Sequence, residues 1–391
     1  MSQLPRDVVV VAAVRTAVTK AGRGSLKDTR PDDLLVAALQ GLLAKVPSLD
    51  LSQVDDVVIG CAFPEGEQGL NVARTAALKA GLPFTVPAMT VNRFCSSGLQ
   101  SLAQAAAAIQ AGWIDIAITG GVESMTMIPM GGQRPSPNPG VMEDDPGVFA
   151  PMGVTSENVA TRFEVSRADQ DAFALASNDK ALAAIAEGRF LDEIVPVKTR
   201  VWQDGKWVEA IVDTDEGPRA STLEGLARLK PAFAVNGAST AGNSSQTSDG
   251  AAATLVMARE KAAALGLPVL GVLRAYTVVG VDPEIMGVGP RYAIPRVLEK
   301  AGLRLEDVEI FEINEAFASQ ALYCVRELGI DPALVNVNGS AIALGHPLGC
   351  TGAKLTATLL HEMKRRKVRW GLVSMCVGGG MGAAAVFERE G

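Results

Sequence analysis

Histidine is nearly missing from this chain, with two in 391 residues. Any imidazole chemistry therefore rests on His346 or His361. Aromatic residues are scarce at 5%, and no CxxC pair occurs. The five cysteines, Cys61, Cys95, Cys324, Cys350 and Cys376, are odd in number and scattered. That pattern argues against a disulfide framework or a zinc cluster and implies a reducing setting, which reads as cytoplasmic. Long hydrophobic runs are absent too: the apolar run that opens at "VVVVAAV" covers about eight residues, and a bilayer needs about 20. It reads as a first strand with neither signal peptide nor transit segment ahead of it, and the closing "FEREG" carries no recognised address. Basic residues are not in excess. The net charge of −7 argues against generic nucleic-acid binding, while leaving an anionic small substrate open.

What is present is apolar surface and glycine. A hydrophobic content of 48% with 40 glycines suits a close-packed α/β protein, and the length suits two or three domains. Residues 6–14 and 54–60 read as buried strands and 31–45 as a helix. The alanine-rich stretch after Cys95 reads as a helix ending at Gly112, and 114–121 as a strand. Such alternation points to parallel α/β architecture. From 122 the character changes, with a Pro/Gly-rich stretch, a polar helix over 166–187 and a hairpin turning at Asp204-Gly205. Alternation resumes at 249. The order of elements in 51–60 and 95–121 echoes that in 303–313 and 350–380, which predicts a duplicated core. The expected division is an N-terminal core half (1–121), an inserted loop domain (122–247), a return to the N-terminal half (248–271) and a C-terminal half (272–391).

Few residues offer chemistry. Cys95, in "NRFCSSGLQ", is either a small buried hydrophobe or a nucleophile. At a helix N-terminus, unsatisfied amides and the dipole favour thiolate, the attacking form. Gly98 would let that helix start pack closely. His346 lies in "NGSAIALGHPLGCTG", where Gly345 and Pro347 fix a tight loop around the imidazole. It is the candidate general base, and His361, inside a helix-like run, is a packing or surface residue. Cys376 ends a strand and precedes "VGGGMG", whose exposed amides suit either an oxyanion hole or a tight turn. The spacing is not GxGxxG followed by an acid, so no dinucleotide site is read. Asn314, in "FEINEAFASQ", is a helix cap or an amide aimed at a substrate oxygen or water. Cys61, Cys324 and Cys350 read as structural, and "MKRRKVR" as a solvated helix end that could also approach a coenzyme phosphate.

Taken together, "NRFCSSGLQ", "GGVESM", "TAGNSSQTSDGAA", "NEAF", "GHPLGCTG" and "CVGGGMG" resemble the signature blocks of the thiolases, across essentially the whole chain. "MGVTSENVATRF", "LKPAF" and "IMGVGPRYAIP" are most similar to the degradative 3-ketoacyl-CoA branch. The resemblance implies a five-layered α-β-α-β-α core of two similar halves, a covering loop domain, and a homodimer or dimer of dimers. It implies Cys95 as nucleophile, His346 as its base and Cys376 as the group exchanging the acetyl C2 proton. His346 and a water on Asn314 would serve one oxyanion, and the amides of Cys95 and Gly378 the other. CoA would be a co-substrate, with no tightly bound cofactor and no metal. Ser245 would lie near its pantetheine, Met152 and Phe317 near the acyl end, and Arg219 near a phosphate. β-Oxidation enzymes are implied partners.

One departure stands out: Gly339-Ser340 replaces the adjacent glycines that follow the asparagine in the family's turn. If position 340 needs positive φ, Ser340 is strained by about 1–2 kcal/mol and displaces the His346 loop slightly. Alternative readings are a biosynthetic acetoacetyl-CoA thiolase, a decarboxylating condensing enzyme, against which Cys376 argues, and a non-catalytic lipid-carrying or assembly subunit.

Overall fold

A computed structural model describes residues 6–390. The outermost residues of both expected core halves, 1–5 and 391, lie outside them. The first strand, Val8–Thr16, is buried along its whole length. Val8, Val10 and Ala13 face one apolar cluster, and Val9, Ala12 and Val14 another. A register shift between Val10 and Ala12 accounts for the break in strict alternation. Because both faces are covered, the strand reads in sequence as a continuous apolar run.

Nine strands follow one another across the main sheet. Their order is Ile310–Ile313, Trp370–Val377, Met381–Glu388, Gly271–Gly280, Val8–Thr16, Ser248–Ala258, Ile116–Ser124, Asp56–Gly60 and Ala88–Val91. The pairs at the two ends are parallel and those in the middle antiparallel. The expectation of purely parallel architecture is therefore corrected. The late strand of each half, Ser248–Ala258 or Met381–Glu388, returns against its neighbours, by a long excursion in the first half and a glycine hairpin in the second.

Three apolar clusters sort the helices into layers. Pro31–Ala44 and Val72–Ala80 cover the outer face of the first half-sheet. Gly289–Ala301 and Ala318–Leu328 lie on the outer side of the second. Ser97–Gln110 and Leu348–Arg366 share the central cluster with the inner strand faces. The result is five layers, α-β-α-β-α. Close approach at the centre depends on glycine: a Cβ at Gly98 would stand 2.7 Å from the amide nitrogen of Ala353, and one at Gly352 2.4 Å from that of Leu99. These distances are far inside contact range and involve rigid backbone.

Residues between Ser124 and Ser248 contribute the helices Met152–Arg162 and Arg167–Ala186 and a separate hairpin, Val197–Gln203 with Lys206–Val212. The hairpin turns at Asp204-Gly205, both at positive φ, as a two-residue turn of primed type demands. Arg15 anchors this region to the core, donating to Glu193 at 2.6 Å and to both oxygens of Asp215 at 2.8 Å, with all three side chains buried. Among the described residues no helix is long and apolar enough to cross a membrane.

Candidate active site

Cys95 sits on a short turn between the strand Ala88–Val91 and the central helix Ser97–Gln110. Phe94 before it is held at φ +42°, a conformation costing a residue with a Cβ about 1–2 kcal/mol. The turn is fixed locally: Ser97 Oγ accepts from the Arg93 amide at 2.8 Å and donates to the Phe94 carbonyl at 2.7 Å, while the Phe94 amide donates to Asn92 at 2.8 Å. Strain stored in such a turn presents the next side chain beyond the strand end. The amides of Gly378 and of Cys95 itself face the sulfur, but burial outweighs them and pushes the thiol up to about 11. The expectation of a dipole-stabilised resting thiolate is thereby corrected.

His346 is buried in the loop before the second central helix. Thr351 Oγ1 donates to the Pro347 carbonyl at 2.9 Å, so its single proton is committed there. Against His346 Nδ1, 2.5 Å away, the hydroxyl can only accept. The ring proton therefore lies on Nδ1, leaving Nε2 as a bare acceptor. Nε2 lies 3.3 Å from Asn314 Nδ2. Burial, with Lys354 adding to it, lowers the imidazole to about 3. The imidazole is neutral.

Asn314 is buried at the end of the strand Ile310–Ile313 and does not cap a helix. The next helix begins at Ala318 with Phe317 before it and no side-chain cap. Asn314 Oδ1 has no protein partner, as befits an oxygen aimed at water or a ligand. Cys376 is the penultimate residue of its strand, with its thiol donating to Gln320 Oε1 at 2.8 Å. Burial, then the neighbouring Cys95 and Cys324, keep it well above the usual thiol range. Met152 and Phe317 share an apolar cluster with Cys376, and Met152 and Phe94 lie over Gly378.

The remaining expected residues divide. The Ser245 amide donates to the Ala316 carbonyl at 2.9 Å, beside Phe317. Arg219 is apart from the reactive groups, lining a groove of about 600 Å³ with Ser221, Thr222 and Leu229. Lys20 lies near it, and burial first, then the Arg219 and Arg23 charges, lower the Lys20 pKa. Ser340 departs from expectation: its φ is −144°, so no left-handed strain arises and no displacement of the His346 loop follows. His361 Nε2 donates to the Ala13 carbonyl, 2.9 Å away. Arg365 and Arg366 pair with Glu362 of their own helix. Among the described residues no group of His, Cys, Asp or Glu is placed to hold a metal ion.

Sequence reading missed three supports. Thr351 sets the His346 tautomer, and its place one helical turn beyond Pro347 was the available signal. Glu123 accepts from the amides of Ala62 at 2.8 Å and Gly349 at 2.7 Å, and from Gln68. It thus joins the loop beside Cys95 to the helix start beside His346. Burial raises its pKa against these donors. Gln320, in the first turn after "NEAF", carried no motif of its own.

A buried thiol, an imidazole with an unprotonated Nε2 and a second buried thiol are groups whose chemistry suits acyl transfer and proton exchange. The comparisons agree. The family models for the thiolase N-terminal and C-terminal domains match residues 8–260 and 267–389. A 3-ketoacyl-CoA thiolase of Bacillus subtilis is 55% identical over 98% of this chain and 99% of its own. The peroxisomal 3-ketoacyl-CoA thiolase 1 of Arabidopsis thaliana is 56% identical over 98% of this chain and 88% of its own. The crystal structure of the dimeric peroxisomal thiolase of Saccharomyces cerevisiae superposes with a TM-score of 0.91 at 47% identity, covering 100% of this chain and 99% of that one. Plant and mammalian relatives at 52–56% identity are peroxisomal by name, which overturns the cytoplasmic expectation. Unpaired cysteines require a reducing milieu, and that does not identify one compartment. With the matched domains together spanning nearly the whole chain, the protein belongs to the thiolase family.

Proposed function

We propose that the chain cleaves 3-ketoacyl-CoA with CoA, releasing acetyl-CoA and an acyl-CoA two carbons shorter through an acyl group carried on Cys95. The observation that supports it most is a buried run of contacts: the Cys376 thiol, beside Cys95, meets Gln320, whose amide meets Asn314, which in turn meets the unprotonated Nε2 of His346. The 3-ketoacyl-CoA thiolases named above support the substrate class.

In this reading His346 Nε2 takes the Cys95 proton as the sulfur attacks C3, and the amides of Cys95 and Gly378 hold the oxyanion. The C2–C3 bond breaks, and its electron pair becomes the enolate of acetyl-CoA. Asn314, through a water, and His346 stabilise that second oxyanion. Cys376 gives its proton to C2, and the proton taken from Cys95 restores it. CoA, deprotonated by His346, then displaces the acyl group from Cys95. Both reacting groups rest neutral, so charge develops only with substrate in place, where fixed donors count most.

Segment 122–247 serves as the cover. Met152 and Phe317 border the acyl end, Ser245 lies along the pantetheine, and Arg219 with Lys20 and Arg23 attracts the phosphates. The half-buried edge strand Ala88–Val91 supports a homodimer or dimer of dimers, since a free edge invites pairing. The dimeric yeast relative supports the same assembly. Enzymes of β-oxidation would supply the substrate and take the shortened product.

The test is CoA-dependent loss of ketoacyl-CoA absorbance with acetoacetyl-CoA, 3-ketohexanoyl-CoA and 3-ketohexadecanoyl-CoA. Turnover is expected to extend beyond the four-carbon substrate. Confinement to acetoacetyl-CoA would move the assignment to the biosynthetic reaction, and near-normal turnover by Cys95→Ser would end both.

A further inference from the structure

One buried amide beside the reactive thiols has no part in the chemistry above. Gln320 is fully buried in the first turn of the helix Ala318–Leu328. Its Nε2 donates to the main-chain carbonyl of Asn314 at 3.2 Å. A carbonyl can only accept, so the amide orientation is settled and Oε1 faces Cys376. The Cys376 sulfur is 2.8 Å from that oxygen, which has no proton to give. The thiol is therefore the donor. Packing holds the amide in place, because a Cβ at Gly287 would stand only 2.6 Å from Gln320 Cβ. Through Asn314, whose Nδ2 meets His346 Nε2 at 3.3 Å, the same side chain ties Cys376 to the residue flanking the base.

We propose that Gln320 is the positioning residue for Cys376, an inference that rests on the thiolase reading. An amide oxygen stabilises a thiol facing it and repels a thiolate, so it holds the proton on Cys376 and makes any thiolate formed there a strong base. In the cleaving direction the S–H turns from Gln320 to C2, a C–H bond forms using the enolate electron pair, and a thiolate remains. In the condensing direction the C2–H bond breaks, its electron pair stays in the enolate, and the proton bonds to sulfur and turns back to Oε1. Gln320 acts through its contacts with Cys376 and the Asn314 carbonyl. It fixes where the proton waits.

The test separates the Cys376 step from the Cys95 step. Loss of the acetyl C2 hydrogens of acetyl-CoA into deuterated buffer reports on Cys376, and the mass increase on acetylation by acetyl-CoA reports on Cys95. Gln320→Met keeps the volume and removes the acceptor. It is expected to slow hydrogen loss about 10-fold or more while acetylation stays within about twofold. Gln320→Glu keeps an acceptor and adds negative charge, so it is expected to retain part of the exchange and move its alkaline limb to higher pH. Hydrogen loss at the parental rate in Gln320→Met, or loss and acetylation falling by one common factor, overturns the proposal. Should that variant not fold, an unchanged pH profile in Gln320→Glu overturns it instead. If the unaltered protein is neither acetylated nor exchanges hydrogen, the thiolase reading itself fails, a result distinct from intact exchange in both proteins.

Discussion

At Cys95 two influences pull in opposite directions. The helix start and two amides favour the thiolate, while burial favours the thiol, and burial prevails, with the sulfur at about 11. Alkylation by iodoacetamide should therefore accelerate steadily with pH through 10, with acyl-CoA protecting, and a plateau near neutrality would point instead to a resting ion pair. His346 gives a complementary signature. The unfolded chain takes a proton near the ordinary value of 6.5, whereas the folded protein refuses it down to about 3. The unfolded state binds more protons across that window, so stability falls as pH drops through it. The urea midpoint should decline from about pH 6.5 downward, and His346→Gln should flatten part of that slope. Asn314→Ala is expected to lower kcat about 10²–10³-fold with KM little changed, as steady-state kinetics can check. Cys95, His346, Cys376 and Asn314 stood out as candidates in sequence because each lies in a segment punctuated by glycine, proline or a strand end. Glu123 and Gln320 were not, because their roles lie in contacts with Gly349 and Cys376, far away in sequence.

Among the elements, the two central helices carry the site at their N-terminal ends, one preceded by Cys95 and the other by His346. Gly98 and Gly352 set how closely these helices approach. Gly98→Ala should cost about 1–3 kcal/mol by overpacking against backbone, read as a lower urea midpoint, and should depress activity further by separating the two groups. The strands and helices of the halves were readable from apolar runs and their spacing. Strand direction was not, since a strand buried on both faces reads alike whichever way it runs. Ser340 teaches a related lesson: a residue that departs from a glycine pattern signals strain only if its φ is positive, and here it is not.

At the scale of the molecule, the long excursion between Ser124 and Ser248 is tied to the core by the buried set Arg15, Glu193 and Asp215. Replacing Arg15 with Met leaves two enclosed carboxylates without the guanidinium that pairs them. It should cost about 3–5 kcal/mol, appearing in denaturant unfolding as a weaker or separate early transition of that region. The duplicated order of elements was visible in sequence, but not that the halves share a sheet. They do: Val8, Val9 and Val10 pair directly with Leu273, Val272 and Gly271. Hydrogen bonds across that seam leave no hinge between the halves. The protein should work like a jig, in which the workpiece moves and the tool does not: the acyl chain, the enolate and the incoming CoA change places in turn before reactive groups that keep their stations.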